Sequence, residues 1–364
     1  MVTGQPENPD LSHVRMLLIG PMPPPLHGQT VVMNHMVSQL VPLFPHLRVV
    51  SDSVLETRGW RRPVAKLRRA VGSLVSVRDC DAVYIAVKAD HGMWITTALA
   101  VRARWAGVRI FLHHHSYAYV HGRKKRMVAL ARAAGPSAHH IVLSRTMATD
   151  LARVMPEVTR SIVVGNAGLI DKSLSHLPVK TDSQELVLGH MSDLSLEKGV
   201  AEVVDLAIKL NQKGVRARLI MGGPGVDGES RQHLDRAARE LGEMFEYRGL
   251  LSGQAKQRFY TEITHFIFPS RYVHEAMPLV LYEAMAAGVV CVATLQGSIA
   301  EQLEGSPCVL AHSADSFVEE TLPILSRALV STATSEQCRQ AYFRALSESE
   351  KQLEELIRRF NMGA

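Results

Sequence analysis

Residues 266–294, FIFPSRYVHEAMPLVLYEAMAAGVVCVAT, constrain the fold more than any other part of this chain. The apolar run His265 to Phe268, closed by Pro269 and Ser270, reads as a buried strand. A polar loop follows, and Pro278 stands where a first helical turn takes a proline, because the missing N–H has no intrahelical partner there anyway. The helix runs through Leu279, Tyr282, Glu283, Met285 and Ala286 and stops near Gly288. Val289 to Ala293 is the next apolar strand. The stretch is a βαβ unit with one carboxylate in its loop, Glu275, and a second in its helix, Glu283.

The leading amides of that helix, around Met277, Leu279 and Val280, offer a place for a phosphate. Carboxylates repel phosphate but accept hydrogen bonds well from sugar hydroxyls. A nucleotide-sugar has both kinds of group, a pyrophosphate in the middle and a polyol at each end. Spacing alone leaves a second reading open, in which Glu275 is a solvated loop acid and Glu283 an ordinary helix-surface acid.

The stretch resembles the signature of the family-four (group 1) retaining glycosyltransferases. Their pattern is Pro-Ser, a few residues, Glu, seven residues, Glu, then Ala-Met-Ala-x-Gly and an apolar strand. Glu275 and Glu283 have that spacing, and Glu283-Ala284-Met285-Ala286-Ala287-Gly288 follows; Ala276-Met277-Pro278 departs from the usual Gly-Phe-Pro. The resemblance implies an α/β fold of two Rossmann-like domains facing a central cleft (GT-B type), with a C-terminal helix crossing back to the first domain. It also implies that Glu275 meets the donor sugar and Glu283 the ribose of the nucleotide.

A length of 364 residues fits two such domains, and 46% apolar with 21% charged residues is ordinary for a globular protein with large cores. The polar start, MVTGQPENPDLSH, shows no signal peptide, and no apolar run reaches the ~18 residues of a membrane span. Cys80, Cys291, Cys308 and Cys338 are scattered, which fits free thiols in a reducing cytoplasm. The net charge of +6 is uneven. Residues 1–180 hold 23 Lys and Arg against 10 Asp and Glu, or +13, and the remainder, 18 against 25, carries −7. No acid lies between Asp90 and Asp150. A basic first half points to an anionic surface.

In chain order, RMLLIG (15–20) reads as a strand and Gln29 to Leu40 as a helix. Between them Gly28 allows close backbone approach just before the helix start, which suits phosphate contact; a plain Pro-rich turn is the alternative. The loop GPMPPPLHG resembles the opening loop of polysaccharide-assembly members of the family. Between Trp60 and Val77, Arg61, Arg62, Lys66, Arg68 and Arg69 accompany Val64, Leu67, Val71 and Leu74 at helical spacing. That is either a basic amphipathic helix able to lie on an anionic bilayer or a core-facing helix with a solvated basic back. Asp79-Cys80-Asp81 looks like a metal-binding DxD but precedes a strand, where an acid is a normal turn residue, and we read it as structural.

The strand Val108 to Leu112 leads into His113-His114-His115. Consecutive side chains on an extended chain point to alternate faces, so the three do not converge easily on a metal. The resemblance implies instead that a histidine here, His115 before Ser116 or alternatively His113, touches the donor sugar. Arg123 to Arg126 opens the next helix, a place where the helix dipole disfavours positive charge. In the second half, Leu186 to Met191 is a strand and a helix starts near Gly199. Lys198 there can pair with the donor pyrophosphate as a point charge. The family often has Gly-Arg-Leu where this chain has Ser192-Asp193-Leu194, so the usual arginine is missing.

These readings give a first domain at 1–172, a linker at 173–184, a nucleotide-sugar domain at 185–334 and a helical crossover at 335–364. The expected activity is retaining, metal-independent sugar transfer from a UDP- or GDP-linked donor to a hydroxyl acceptor, a glycan or lipid-linked intermediate. The expected catalytic residues are His115, Glu275 and Lys198. The expected donor-binding residues are Gly28, Met277, Pro278, Leu279 and Glu283. No metal or cofactor is expected, and no nucleic-acid partner, because no recognition motif accompanies the charge. An anionic membrane surface on the cytoplasmic side is the expected partner of the first domain.

Overall fold

The computed structural model describes residues 11–24, 28–51, 72–182, 185–224, 228–328 and 331–361. The chain forms two compact units, Met1–Leu169 with Glu348–Ala364, and Ile170–Ser347. Each holds one six-stranded parallel sheet.

The first unit alternates β1 (Met16–Gly20), α1 (Gly28–Leu40), β2 (Leu47–Ser51), β3 (Ala82–Ala86), α2 (Met93–Trp105), β4 (Arg109–His113), α3 (Lys125–Ala134), β5 (His139–Val142), α4 (Arg145–Val154) and β6 (Ser161–Val163). Its strand order is β2-β1-β3-β4-β5-β6. β1 and β3 are buried along their whole length, as expected of central parallel strands covered on both faces. On one face, Met33, Met36 and Leu40 of α1 pack with Leu356 and Phe360 against Leu18, Tyr84 and Phe111. The Phe360 ring meets Phe111 edge-on at 4.5 Å, and its carbonyl accepts from the Arg109 guanidinium at 2.7 Å. Ser144 caps α4 by accepting from the Met147 amide at 2.9 Å.

The second unit runs β7 (Leu186–Met191), α5 (Val200–Gln212), β8 (Ala217–Gly222), α6 (Gly228–Leu241), β9 (Phe245–Tyr247), α7 (Gly253–Glu262), β10 (His265–Phe268), α8 (Leu279–Ala286), β11 (Val290–Thr294), α9 (Ile299–Gln302), β12 (Val309–Ala311), α10 (Phe317–Leu325) and α11 (Thr332–Asn361). The last part of α11, from Glu348, belongs to the first unit. The strand order β12-β11-β10-β7-β8-β9 is the doubly wound 3-2-1-4-5-6 pattern when counted from β7. Strand order therefore reverses between β7 and β10, and the crevice at their C-terminal ends is where ligands bind in open α/β sheets. Buried Lys180 donates to the carbonyls of Tyr260 and Thr261 at 2.6 Å each, closing the C-terminal end of α7. Burial lowers its amine to about 8.

Several local expectations shift. α1 begins at Gly28 itself, so this glycine opens the helix instead of preceding it. Of the four basic residues at 123–126, only Lys125 and Arg126 are helical, with Lys124 at the cap. Arg123 is tied to Glu157 at 2.6 Å. Asp81 accepts from both the Arg15 amide, at 2.8 Å, and its guanidinium, at 2.7 Å, and this pairing holds its carboxyl below the usual range. Of the proposed helix from Trp60 to Val77, residues 72–76 are helical; Trp60 and the arginines and lysine that define its basic face lie outside the described residues.

Candidate active site

Two loops meet at the switch point of the second sheet, one after β7 and one after β10. After β7 the chain makes a short turn at Leu196–Lys198, then reverses through Gly199, whose φ of +82° is left-handed. A Cβ on Gly199 would lie 2.5 Å from the Pro269 carbonyl oxygen. Only glycine accepts both the conformation and the approach, and it brings Lys198 against the loop that begins at Pro269. Lys198 Nζ donates to Glu275 Oε2 at 2.6 Å and stands 4.5 Å above the centre of the Tyr272 ring. The same carboxylate oxygen accepts from Ser270 Oγ at 3.0 Å.

Glu275 is only 8% exposed, so it is not a solvated loop acid. The Glu275 amide donates to the Tyr272 carbonyl at 2.9 Å. The turn at Gly297 packs against it from the β11 side, where a Cβ would fall 2.3 Å from the Glu275 carbonyl oxygen. Ser298 N donates to the Ala276 carbonyl at 2.9 Å. The loop is thus pinned on both sides.

Pro278 occupies the N-cap of α8, one position ahead of the first turn, with extended backbone. Its carbonyl accepts from Leu281 N at 3.2 Å and Gln302 Nε2 at 2.8 Å. The amides of Leu279 and Val280 then lead the helix, where no intrahelical acceptor exists for them. Met277 is buried, and its sulfur accepts from the Tyr282 hydroxyl at 3.5 Å.

Glu283 is 6% exposed, so it is not a helix-surface acid either. Its Oε1 accepts from Lys256 Nζ at 2.8 Å and its Oε2 from the Tyr260 hydroxyl at 3.0 Å, both from α7. Each buried carboxylate therefore has a lysine partner, which burial of a charge requires. The site combines a cation and leading helix amides, suited to a diphosphate, with two oriented carboxylates, suited to hydroxyls. Sequence reasoning missed Lys256, Tyr260, Tyr272 and Gln302. Lys256 lies 27 residues from Glu283, and no local pattern links them.

In the first unit the histidines gather at the ends of β4 and β5. His113 Nδ1 meets the Tyr84 hydroxyl, and the rings of His113 and His115 are 4.1 Å apart. His114 turns the other way, to Tyr119 at 3.0 Å and His140 Nδ1 at 2.9 Å. Both His115 ring nitrogens are buried without a hydrogen-bond partner, and burial lowers that imidazole to about 3. Among the described residues, nothing lies within 4 Å of a Cβ placed on Gly28. Among the described residues, no three or more His, Cys, Asp or Glu side chains form a group that could hold a metal ion.

The family model for glycosyl transferases group 1 matches residues 173–328. A Bacillus subtilis (strain 168) protein named "Putative glycosyltransferase EpsF" is 24% identical over 231 residues, 59% of this chain and 58% of that protein. In structure the chain is similar to Anabaena Alr3699/HepE in complex with UDP, with a TM-score of 0.70 and 14% identity over 94% of this chain and 99% of that one. It is also similar to the sucrose-phosphate synthase of Thermosynechococcus elongatus, with a TM-score of 0.69 and 14% identity over 95% and 98%. At such identities the structural likeness speaks for the fold. Residues 173–328, less than half of the chain, are thus similar to the group 1 glycosyl transferases.

Proposed function

We propose that the protein transfers a sugar from a nucleoside-diphosphate sugar to a hydroxyl acceptor, with retention at the anomeric carbon and without a metal ion. The observation that carries this reading is the Lys198–Glu275 pair, 2.6 Å apart at the head of α8. A donor diphosphate takes Lys198 and the amides of Leu279 and Val280, and Glu275, released from the lysine, accepts from sugar hydroxyls. Glu283 holds the ribose diol. The bond from the anomeric carbon to the phosphate oxygen breaks with its electron pair leaving on the diphosphate, whose charge Lys198 offsets. The acceptor oxygen bonds to that carbon, and its proton passes to the departing diphosphate oxygen. His115 is offered as a donor-sugar contact and Gly28 as a phosphate contact.

UDP in the Anabaena neighbour, and UDP-glucose in another structure of the same protein, favour a uridine donor. We place the acceptor among glycans and lipid-linked intermediates at the cytoplasmic face of a membrane, because residues 1–180 carry +13. No helix among the described residues is long and apolar enough to cross a membrane. Mass spectrometry over a panel of UDP- and GDP-sugars is the test. Consumption of a UDP-sugar that rises with added acceptor is expected. Nucleotide binding with no turnover of any donor or acceptor would assign the chain to a non-catalytic binding role.

A further inference from the structure

Helix α2 is apolar on both sides. Its inner face, Met93, Thr96, Leu99, Ala100 and Ala103, is buried. A helix of this kind is normally buried all round. Yet Trp94 is 51% and Trp105 84% exposed. At about 100° per residue, Trp94, Ala98, Val101 and Trp105 fall on one stripe opposite the buried face, about 16 Å long by the helical rise. Arg102 and Arg104 flank this stripe on its two sides.

Single exposed apolar residues are ordinary, but two tryptophans aligned on one helix with arginines on both margins are not. The indole ring, with an apolar body and a polar N–H, sits best where hydrocarbon meets water. Along the sequence, the charged residues of the helix that bears the stripe are all basic. No acid occurs from His91 to Thr149, a segment that contains all of α2 and α3. α2 packs along α3, and Arg104 donates to the Arg132 carbonyl at 3.0 Å. Both helices cross back over the sheet in the same direction. Lys124, Lys125 and Arg126 therefore lie at the Trp94 end of the pair. Among the described residues, none of these three, nor Arg102, nor Arg104, has an acidic partner.

We propose that the outer face of α2 is a bilayer-docking surface, with Trp94 and Trp105 inserted at the level of the lipid headgroups and Arg102, Arg104, Lys124, Lys125 and Arg126 on anionic phosphates. The occupant is an anionic lipid surface, because the cationic margin calls for negative charge and the indole stripe for an apolar phase beneath it. This deepens the reading of a membrane-side acceptor and names the element that makes the contact, but it does not depend on which sugar is transferred.

The test uses the full chain with vesicles of phosphatidylcholine alone or mixed with phosphatidylglycerol. The wild type should sediment with the mixed vesicles at low salt, with its tryptophan emission shifted to shorter wavelength. The double variant Trp94→Ser/Trp105→Ser should bind at least tenfold more weakly and lose the shift. UDP binding and turnover on a soluble acceptor should stay unchanged, which separates this proposal from that of the transfer reaction. Both positions are exposed, and a thermal melt equal to wild type will show that the variant folds. Arg102→Ser/Arg104→Ser should lower binding in a salt-dependent way. Failure of the wild type to bind, or equal binding by the tryptophan variant, overturns the proposal. So does a wild-type dimer that the tryptophan variant converts to monomer, because the stripe would then face a second copy.

Discussion

Lys198 and Glu275 meet at 2.6 Å across 77 positions of sequence. In the proposed reaction a donor separates the two groups, taking the cation for its diphosphate and the carboxylate for its sugar. Lys198→Ala should lower turnover by about 10²- to 10³-fold, the usual effect of removing one group that stabilises developing charge. Glu275→Ala should lower turnover by about 10²-fold while leaving UDP affinity nearly unchanged. Steady-state kinetics with calorimetry of UDP binding will separate the two. Wild-type turnover in the Glu275→Ala variant would remove Glu275 from the chemistry.

Glu283 should behave differently. Its carboxylate is oriented by Lys256 and Tyr260, and a charged acceptor holds a hydroxyl more strongly than an amide does. Glu283→Gln should weaken UDP binding by about tenfold, and Lys256→Met by a smaller factor, because that lysine only positions the carboxylate. Unchanged calorimetric affinity in the Glu283→Gln variant would contradict the ribose assignment.

Activity should survive EDTA. In the proposed reaction Lys198 and the α8 amides meet the diphosphate charge, and Asp81 is committed to Arg15. Loss of activity that Mn²⁺ restores would point back to Asp79 and Asp81.

Buried imidazoles make the fold sensitive to acid. Burial lowers His140, His190 and His265 to about 4 each and His115 to about 3. Below the unfolded value of about 6.5, the unfolded chain binds protons that the folded chain refuses. The stability is therefore fully present above pH ~6.5 and falls as the pH drops towards ~4. A tenfold difference in proton affinity between the folded and unfolded chain corresponds to about 1.4 kcal/mol, so Tm should fall steadily over that interval. A flat Tm profile between about pH 6.5 and 4.5 would show that these rings are hydrated.

Gly199→Ala should destabilise the second unit by about 1–3 kcal/mol, since both the +82° φ and the Pro269 carbonyl oppose a Cβ. The same change should weaken UDP binding by displacing Lys198. Denaturant unfolding and calorimetry on the one variant will show whether the two effects travel together.

The β/α alternation of both halves and the chemistry of residues 266–294 were determined by the sequence. Strand runs such as Leu186–Met191, the stop at Gly288 and the short interval between Glu275 and Glu283 arise from local geometry. Apolar period, proline and glycine act within a few neighbours, so they can be read along the chain. The same locality explains the small errors at Pro278 and Gly28, where a helix end moved by one residue. What the tertiary structure decided is everything that joins distant segments. Parallel pairing brings the ends of β7 and β10 side by side, and only then does Lys198 reach Glu275. Lys256 meets Glu283 only because α7 and α8 pack together. Burial of both acids, the commitment of Asp81 to Arg15 and the outward stripe of Trp94 and Trp105 are also products of packing. An apolar helix carries no local mark of which of its faces the sheet will cover, because that choice depends on which surfaces the rest of the chain leaves open.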